Sequence, residues 1–325
     1  MSTILVTGGA GFIGSNTAHH LASAGHEIII ADLFEADEKW QNLHHLAPKN
    51  IITAKQLPDW LLSISGGIDG IVHMGAISAT TERDTNLIIE TNFQLSTLVW
   101  LTATRLKIPL VYASSAAVYG DGVEGFSDDP SLMPRLRPLN PYGWSKLVFD
   151  RWALAEAQTG NAPPNWAGLR FFNVYGPGEG HKGSMRSLVH KSFFDIRAGN
   201  PIRLFRDHGG AYGDGEQLRD FIYVRDCAEV ISWLLSAKTG SGIFNVGTGL
   251  ARSWNDLAKA VLASSPSPTT IEYIDMPDSI RNQYQDYTCA DPSRLRSAGW
   301  NGDFTNLEDG IADYISNYLL PGKVT

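Results

Sequence analysis

A tyrosine and a lysine, Tyr142 and Lys146, stand four residues apart in a stretch with helical spacing of apolar residues. Residues four apart lie on one face of a helix, so the two side chains are expected to be neighbours. A free phenol has a pKa near ~10 and is a poor base at neutral pH, but a nearby ammonium favours its phenolate form. The pair could therefore accept and return a proton. The spacing alone is not specific, because many helices carry it by chance.

A serine is expected to join this pair. Ser115 lies in residues 111–120, a run that begins as a buried strand and ends in a glycine. In open α/β sheets, ligands bind in the crevice at the carboxyl ends of the strands. The sequence therefore predicts that Ser115 faces the same crevice as Tyr142 and Lys146.

Glycines at positions 8, 11 and 14 separate the first predicted strand from the first predicted helix. Because they lack side chains, they let the backbone approach a pyrophosphate at the N-terminus of that helix. A bare glycine spacing is weak evidence, but its place between a strand and a helix makes it specific. The sequence therefore predicts a dinucleotide site.

Three charged residues bear on which dinucleotide is bound. Asp32 ends the second predicted strand, where a carboxylate accepts hydrogen bonds from the ribose hydroxyls of NAD. Lys39 follows within one loop and Lys55 follows the third strand, and either could pair with the 2′-phosphate of NADP. The alternative for a lysine here is simple exposure to solvent. These residues leave both NADP and NAD open.

Apolar runs alternate with helical stretches, which predicts right-handed crossovers and a parallel, doubly wound sheet. We expect an α/β Rossmann-type dinucleotide-binding domain over residues 1–172, with residues 220–250 returning to it. Residues 173–325 are expected to form mainly a smaller C-terminal α/β substrate domain, with a surface loop at 209–215. The predicted strands are residues 4–6, 27–31, 51–54, 70–73, 109–113, 166–171 and 242–246. The predicted helices are residues 12–24, 85–106, 142–158 and 254–263.

The composition argues against several classes of protein. The chain has 325 residues and a formal charge of −8, so it presents no basic field for nucleic acid. No run approaches the ~18–20 apolar residues that span a bilayer, and the N-terminus shows no secretion signal. Cys227 and Cys289 are too few and too far apart to suggest a disulfide framework, and the nine histidines show no metal-ligand spacing. We expect a cytoplasmic protein with no metal, nucleic acid or membrane partner.

These motifs together resemble the extended short-chain dehydrogenase/reductase family across the first half of the chain. The resemblance implies a catalytic triad of Ser115, Tyr142 and Lys146. Dehydratases of this family carry an acid and a base where this chain has Ala116 and Ala117, so a dehydratase is disfavoured. The cofactor-binding residues expected from the motifs and the resemblance are Gly8, Gly11, Phe12, Ile13, Gly14, Asp32, Lys39, Lys55, Gly75, Ala76, Asn92, Tyr142, Lys146 and Val174.

The second half of the chain narrows the expected activity. Residues 178–185 resemble the ADP-glycero-manno-heptose 6-epimerases, a group of this family that serves lipopolysaccharide core-sugar biosynthesis. Matches at residues 80–82, 219–226 and 283–285 extend the resemblance over nearly the whole chain. It implies a bound NADP cofactor, with NAD as the alternative, an ADP-heptose or other nucleotide-sugar substrate, and a homo-oligomer.

A 6-epimerisation suits two acid/base groups. One removes the C6 hydroxyl proton while hydride leaves for the nicotinamide; the 6-keto sugar then rotates about its C5–C6 bond and takes the hydride back on the other face. The resemblance implies Tyr142 and Lys182 for the two roles. The substrate-side residues that it implies are Ser78, Asn173, Ser184, Lys191, Phe205, Arg219 and Tyr284.

For two of these residues, Lys191 and Arg219, the substrate-side role has an alternative. Lys191 stands where the group has a substrate-contacting histidine, and His190 lies one residue earlier. Arg219 could grip a diphosphate with its guanidinium or form a surface ion pair with Asp220 or Asp226. Residues 207–218 also form a longer loop than the group's pattern.

Other functions compete with the 6-epimerase interpretation. They are a UDP-hexose 4-epimerase or other nucleotide-sugar epimerase or reductase, a dehydrogenase that releases its cofactor, and a non-catalytic dinucleotide-binding protein. Lys182 discriminates against the first, because a 4-epimerase does not need a second base. The intact Ser115, Tyr142 and Lys146 argue against the last.

Overall fold

The computed structural model describes residues 1–34, 38–236, 240–281 and 284–324. Within these ranges, apolar runs form strands that are short and largely buried, as parallel strands are. The strands are β1 (Thr3–Thr7), β2 (Glu27–Asp32), β3 (Asn50–Thr53), β4 (Gly70–His73), β5 (Leu110–Ser115), β6 (Trp166–Phe171), β7 (Asn173–Tyr175), β8 (Ile202–Phe205), β9 (Leu218–Tyr223), β10 (Gly242–Val246), β11 (Ala251–Ser253) and β12 (Ile271–Ile274).

In the described part of the chain, seven parallel strands form the central sheet, in the order β10-β6-β5-β4-β1-β2-β3. The order reverses between β1 and β4, which confirms the predicted doubly wound topology. β10 lies within residues 220–250 and pairs with β6 at the edge of the sheet. A three-stranded sheet, β11-β9-β7, and a parallel pair, β12-β8, lie outside the central sheet.

Helices cover both faces of the sheet. The helix predicted at residues 85–106 runs without a break, but it widens to a π-helix at Ile89–Gln94. π-helical turns often occur at functional sites, and Asn92 lies in this one. The α-helices are α1 (Phe12–Ser23), α2 (Leu57–Ser63), α3 (Thr85–Ile88), α4 (Leu95–Leu106), α5 (Pro141–Gln158), α6 (Leu188–Arg197), α7 (Val224–Ser236), α8 (Trp254–Ser264), α9 (Asp278–Arg281), α10 (Ser293–Ser297) and α11 (Leu307–Tyr314).

Two apolar layers enclose the central sheet. Leu5 packs with Trp100 on one face, whereas Ile4 packs with Ile231 on the other, because successive strand residues point to opposite faces. A third cluster around Phe193 joins α6, α8 and α11 in the C-terminal part. The buried sheet fixes the carboxyl ends of its strands, where the candidate site lies.

The predicted strands and helices are confirmed, with ends that differ by at most two residues. Residues 209–215 are irregular and mostly exposed, as expected for a surface loop. Of the motif at 283–285, Gln283 lies outside the described residues. Across the described ranges, no helix is long and apolar enough to cross a membrane.

Candidate active site

The glycine turn after β1 brings bare backbone to the mouth of a crevice. Gly8 has a φ of +64°, and a Cβ placed on it would lie 2.6 Å from the backbone nitrogen of Gly75. A Cβ on Gly14 would lie 2.0 Å from the carbonyl oxygen of Gly8. Side chains are therefore excluded here, and α1 begins directly after Gly11. This backbone cradle fits a pyrophosphate at a helix N-terminus.

A cavity of about 440 Å³ opens at the carboxyl ends of the central strands. We call it the first cavity. It gathers most of the residues predicted to bind a cofactor, together with the predicted triad and Lys182. The predicted residues that line it are Gly8, Gly11, Phe12, Ile13, Gly14, Asp32, Lys39, Gly75, Ala76, Ser78, Ser115, Tyr142, Lys146, Asn173, Val174 and Lys182.

Asp32 and Lys39 form an ion pair at one end of the first cavity. The Lys39 Nζ lies 3.0 Å from Asp32 Oδ1, and the Asp32 carboxylate also accepts from the Ala10 nitrogen at 2.8 Å. Lys55 is exposed and lies outside the set of lining residues. Of the two lysines considered from the sequence, the structure therefore brings only Lys39 to the cavity.

The predicted triad meets in the first cavity. Lys146 is buried and donates from Nζ to the Ala113 carbonyl oxygen at 2.9 Å. Burial lowers the pKa of Lys146 to about 8, and the carboxylate of Asp150 opposes that effect. Burial raises the pKa of the Tyr142 phenol, and its contact with the Ser115 hydroxyl lowers it. The ammonium is thus held by backbone beside a phenol that faces the cavity.

Lys182 reaches the first cavity from a different part of the chain. It lies in the short helical turn Gly180–Met185, and its Nζ is 5.5 Å from the centre of the Phe12 ring. Burial lowers the pKa of Lys182, and the Glu179 carboxylate opposes this shift. Lys182 therefore adds a second buried amine to the first cavity, beside that of Lys146.

Two polar side chains that the sequence did not single out, Asn16 and Asn42, hold the loop that carries Lys182. We call this loop the Lys182 loop (residues 176–187). Asn16 donates to the Pro177 carbonyl oxygen at 2.8 Å. Asn42 donates to the carbonyl oxygens of Gly178 at 3.0 Å and of Ala10 at 2.9 Å.

Glu179 closes the Lys182 loop on itself. Its buried carboxylate accepts from the nitrogen of Gly176 at 3.3 Å and from the hydroxyl of Ser187 at 2.7 Å. It also accepts from the Ser187 nitrogen. Burial raises the pKa of Glu179, while its hydrogen bonds to Ser187 and Gly176 lower it. Both ends of the loop are therefore tied to one side chain.

A second cavity of about 460 Å³ adjoins the first. Asn173, Val174 and Met185 line both, so the two form one continuous site. Of the predicted substrate-side residues, Lys191, Phe205 and Tyr284 also line the second cavity, as Asn173 does. Of the longer loop at 207–218, His208 lies beside this cavity, with its ring 6.0 Å from that of Tyr284.

Arg219 lies behind the wall of the second cavity. Its guanidinium is 4.8 Å from the Tyr284 ring centre and 5.7 Å from that of Trp254, and it is absent from the lining set. The alternative interpretation, a surface ion pair of Arg219 with Asp220 or Asp226, is not seen in the structure. Both carboxylates are buried and accept hydrogen bonds elsewhere, from Thr248, Gly249 and Ala290 and from Thr305 respectively.

Two other predicted residues lie outside the cavity walls. Asn92 is buried; its side chain accepts from the Ile77 nitrogen at 2.8 Å and donates to the Ser145 hydroxyl at 3.0 Å. It therefore supports the segment after β4 rather than facing the cavity. Ser184 is exposed on the Lys182 loop.

Comparisons with known proteins agree with this geometry. The NAD dependent epimerase/dehydratase family matches residues 4–247. A curated relative from Nitratidesulfovibrio vulgaris (strain DP4), named ADP-L-glycero-D-manno-heptose-6-epimerase, is 46% identical over 97% of this chain and 97% of its own length. The crystal structure of the Helicobacter pylori enzyme of that name has a TM-score of 0.82 and is 29% identical, covering 97% of this chain and 96% of the other.

A further solved structure holds a nicotinamide dinucleotide. MoeE5 in complex with UDP-glucuronic acid and NAD has a TM-score of 0.75 and is 26% identical, covering 97% of this chain and 98% of the other. The family match spans well over half of the chain and includes the glycine turn, the triad and Lys182. The chain belongs to the NAD dependent epimerase/dehydratase family.

Proposed function

We propose that this protein interconverts the C6 epimers of ADP-glycero-manno-heptose with a bound nicotinamide dinucleotide. The observation that carries the proposal is that Tyr142 on α5 and Lys182 on the Lys182 loop line one cavity. The names of the relatives in Nitratidesulfovibrio vulgaris and Helicobacter pylori support the substrate. Two acid/base groups suit inversion at a carbon outside the sugar ring, because rotation of that carbon moves its oxygen between the two hydride transfers.

In the proposed reaction, the two groups act on different faces of C6. The bound nicotinamide supplies a reversible hydride acceptor. Tyr142 takes the hydroxyl proton as hydride leaves C6 in one direction. After the exocyclic carbon has rotated, Lys182 donates a proton to the ketone oxygen as C6 takes the hydride back on its other face. The roles exchange in the reverse direction, as microscopic reversibility demands.

Lys146 and Ser115 would act through Tyr142. At neutral pH a lysine with a pKa of about 8 is mostly charged, so Lys146 favours the phenolate of its neighbour. The Ser115 hydroxyl can donate to either the phenolate or the substrate oxygen. Gly8, Gly11 and Gly14 would hold the pyrophosphate of the cofactor, and Asn92 would position the segment at Gly75–Ile77 behind it.

We further propose NADP as the preferred dinucleotide. Lys39 compensates the charge of Asp32, so the end of the cavity that would otherwise repel a 2′-phosphate is close to neutral. Lys39→Met is expected to weaken NADPH binding at least tenfold while changing NADH binding little, measured by nicotinamide fluorescence. Equal losses for both dinucleotides would refute the preference.

The second cavity is proposed to hold the nucleoside diphosphate. Lys191 faces it directly, whereas Arg219 stacks behind Tyr284 and would support that ring. We assign Ser78, Asn173, Ser184, Phe205 and Tyr284 to the substrate side on the resemblance, although Ser184 must move from its exposed position to do so. The proposal also divides the chain into a dinucleotide domain (1–172) and a mainly substrate-binding domain (173–325). It further includes a homo-oligomeric state and a cytoplasmic location.

The test is a substrate comparison with purified protein. ADP-glycero-manno-heptose of one C6 configuration should be converted to an equilibrium mixture of both, with no lasting change in the absorbance of reduced nicotinamide. UDP-glucose and UDP-galactose should not interconvert. Conversion of the UDP-hexoses in place of the heptose would overturn the assignment in favour of a 4-epimerase.

A further inference from the structure

A third cavity, of about 280 Å³, lies on the other side of the Lys182 loop. His181 lines both this cavity and the first, so the loop forms a wall between them. The rest of its wall comes from Glu38, Gln41 and Asn42, from α6 and from the C-terminal part of the chain, including Tyr314, Tyr318 and Lys323. None of the roles proposed above uses this space.

Two buried polar atoms in its wall have no hydrogen-bond partner. His190 is 6% exposed, and its Nδ1 is unpartnered. The Nε of Arg186 is likewise buried and unpartnered. Buried polar groups in native proteins are nearly always satisfied, so two such atoms on residues that line one cavity indicate a missing hydrogen-bond partner.

The charges around the third cavity favour an anion. Arg186 and Lys323 are the cations among its described lining residues, and Glu38 is the carboxylate. Burial, and then Arg186 and Lys191, lower the pKa of His190 to about 4. His190 is therefore neutral at physiological pH and can present one N–H. Arg186 remains a charged donor beside it.

We propose that the third cavity binds the phosphate group of a small metabolite, with Arg186 and His190 as buried donors and Lys323 at the rim. A guanidinium matches two phosphate oxygens at once, and an imidazole N–H can serve a third. The rings of Phe194 and Tyr318, which also line the cavity, offer a surface for the organic part of a phosphate ester. The occupant would contact the loop that carries Lys182.

The proposal is tested by calorimetric titration of inorganic phosphate into protein saturated with NADP and ADP, at constant ionic strength. Saturation fills the first and second cavities, so any further phosphate binding reports a separate site. We expect one such site with a Kd of about 1 mM or below. Arg186→Met and His190→Phe should each weaken it about tenfold or more, as loss of a hydrogen bond to a charged group does. Arg186 lines the second cavity as well, whereas His190 lines only the third of the three cavities, so His190→Phe is the decisive variant. Arg203→Met is the matched control, because Arg203 lines the second cavity and not the third.

Two further binding measurements identify the ligand and keep the test valid if a variant does not fold. A hexose phosphate that binds more tightly than inorganic phosphate would identify an ester as the ligand, whereas equal affinity would identify free phosphate. If Arg186→Met does not fold, Lys323→Met, at an exposed position, should still weaken binding. Absence of heat beyond a chloride control, or unchanged affinity in the variants that fold, would overturn the proposal.

Discussion

The side-chain nitrogen of Asn42 lies 3.0 Å from the carbonyl oxygen of Gly178 and donates a hydrogen bond to it. The same nitrogen donates to the Ala10 carbonyl oxygen, inside the glycine turn, at 2.9 Å. One buried amide thus joins the proposed cofactor cradle to the Lys182 loop. This contact, together with that of Asn16 with Pro177, holds the two parts of the site next to each other.

Asn42→Ala should therefore impair turnover more than folding. We expect kcat to fall about tenfold to a hundredfold, because a displacement of about 1 Å at a reacting group costs that much. Dinucleotide affinity should change less than kcat. Asn317→Ala, at an exposed helical asparagine, is the control and should have wild-type kinetics. An unaltered kcat in Asn42→Ala would show that the loop is positioned by other contacts.

Tyr142→Phe removes the phenolic oxygen and keeps the ring. Epimerisation should slow by about a hundredfold to ten-thousandfold, the contribution typical of a general acid/base. Circular dichroism and NADP binding should match the wild type. Tyr287→Phe is a matched substitution outside the first and second cavities and should leave the rate unchanged. Near-normal turnover in Tyr142→Phe would remove the phenol from the mechanism.

Lys146 predicts a specific dependence of stability on pH. Burial lowers its pKa from 10.5 to about 8, so between these values the folded chain has lost a proton that the unfolded chain still holds. The unfolded state then binds more protons, and the free energy of unfolding rises with pH by up to about 1.4 kcal/mol per pH unit. Below pH 8 this gain is absent.

The measurement is urea unfolding of wild type and Lys146→Met across that window. The stability of the wild type relative to the variant should increase as pH rises from 8 to 10.5. Lys259→Met, at an exposed helical site, controls for general charge effects. A stability difference that stays constant or shrinks would mean that the ammonium is not desolvated in the folded chain.

The buried pair of Asp150 and Arg170 should matter for stability. Arg170 Nε lies 3.1 Å from Asp150 Oδ2, and neither side chain is exposed. Replacing only one partner, as in Asp150→Leu, should cost about 3–5 kcal/mol because it leaves the other charge buried and unpaired. The double variant Asp150→Leu/Arg170→Met should regain much of that loss.

The exposed pair of Arg203 and Glu272 supplies the control for this comparison. Its side chains are 60% and 50% exposed, so Arg203→Met should cost less than about 1 kcal/mol. Unfolding in urea measures all of these variants. A double variant as unstable as Asp150→Leu would show that the pair itself, rather than the stranded charge, carries the stability.

The central sheet is predictable because buried parallel strands are continuous apolar runs. β2 and β10 are both apolar runs of this kind. Because β10 comes late in the sequence, it indicates that the chain returns to the central sheet after leaving it. The π-helical turn at Ile89–Gln94 is different. Its residues have ordinary helical spacing, and its widening accompanies contacts of Asn92 with Ile77 and Ser145 that no local pattern records.

The candidate site likewise contains residues that the sequence predicts and residues that it does not. The glycine turn and the Tyr142–Lys146 pair are local motifs, and their places next to predicted strands and helices let the sequence indicate a role for them. Asn16 and Asn42 bond to Pro177 and Gly178, residues 161 and 136 positions away, so nothing near them in sequence indicates a role.

Arg219 shows why contacts cannot be inferred from adjacency along the chain. The sequence places Asp220 and Asp226 close to it, but the fold turns both carboxylates to other donors and stacks the guanidinium against two rings. Adjacency along the chain was therefore a poor guide to its partner.

The central claim is that two acid/base groups serve one bound dinucleotide, and Lys182→Met tests it most directly. The NADP-loaded variant is mixed rapidly with each C6 epimer of ADP-glycero-manno-heptose in turn. Absorbance should still report transient reduction of the nicotinamide with the epimer whose hydroxyl Tyr142 deprotonates, because Tyr142 is intact. Formation of the opposite C6 epimer, followed by NMR, should fall about a hundredfold or more. Epimer formation at the wild-type rate would contradict the two-base account.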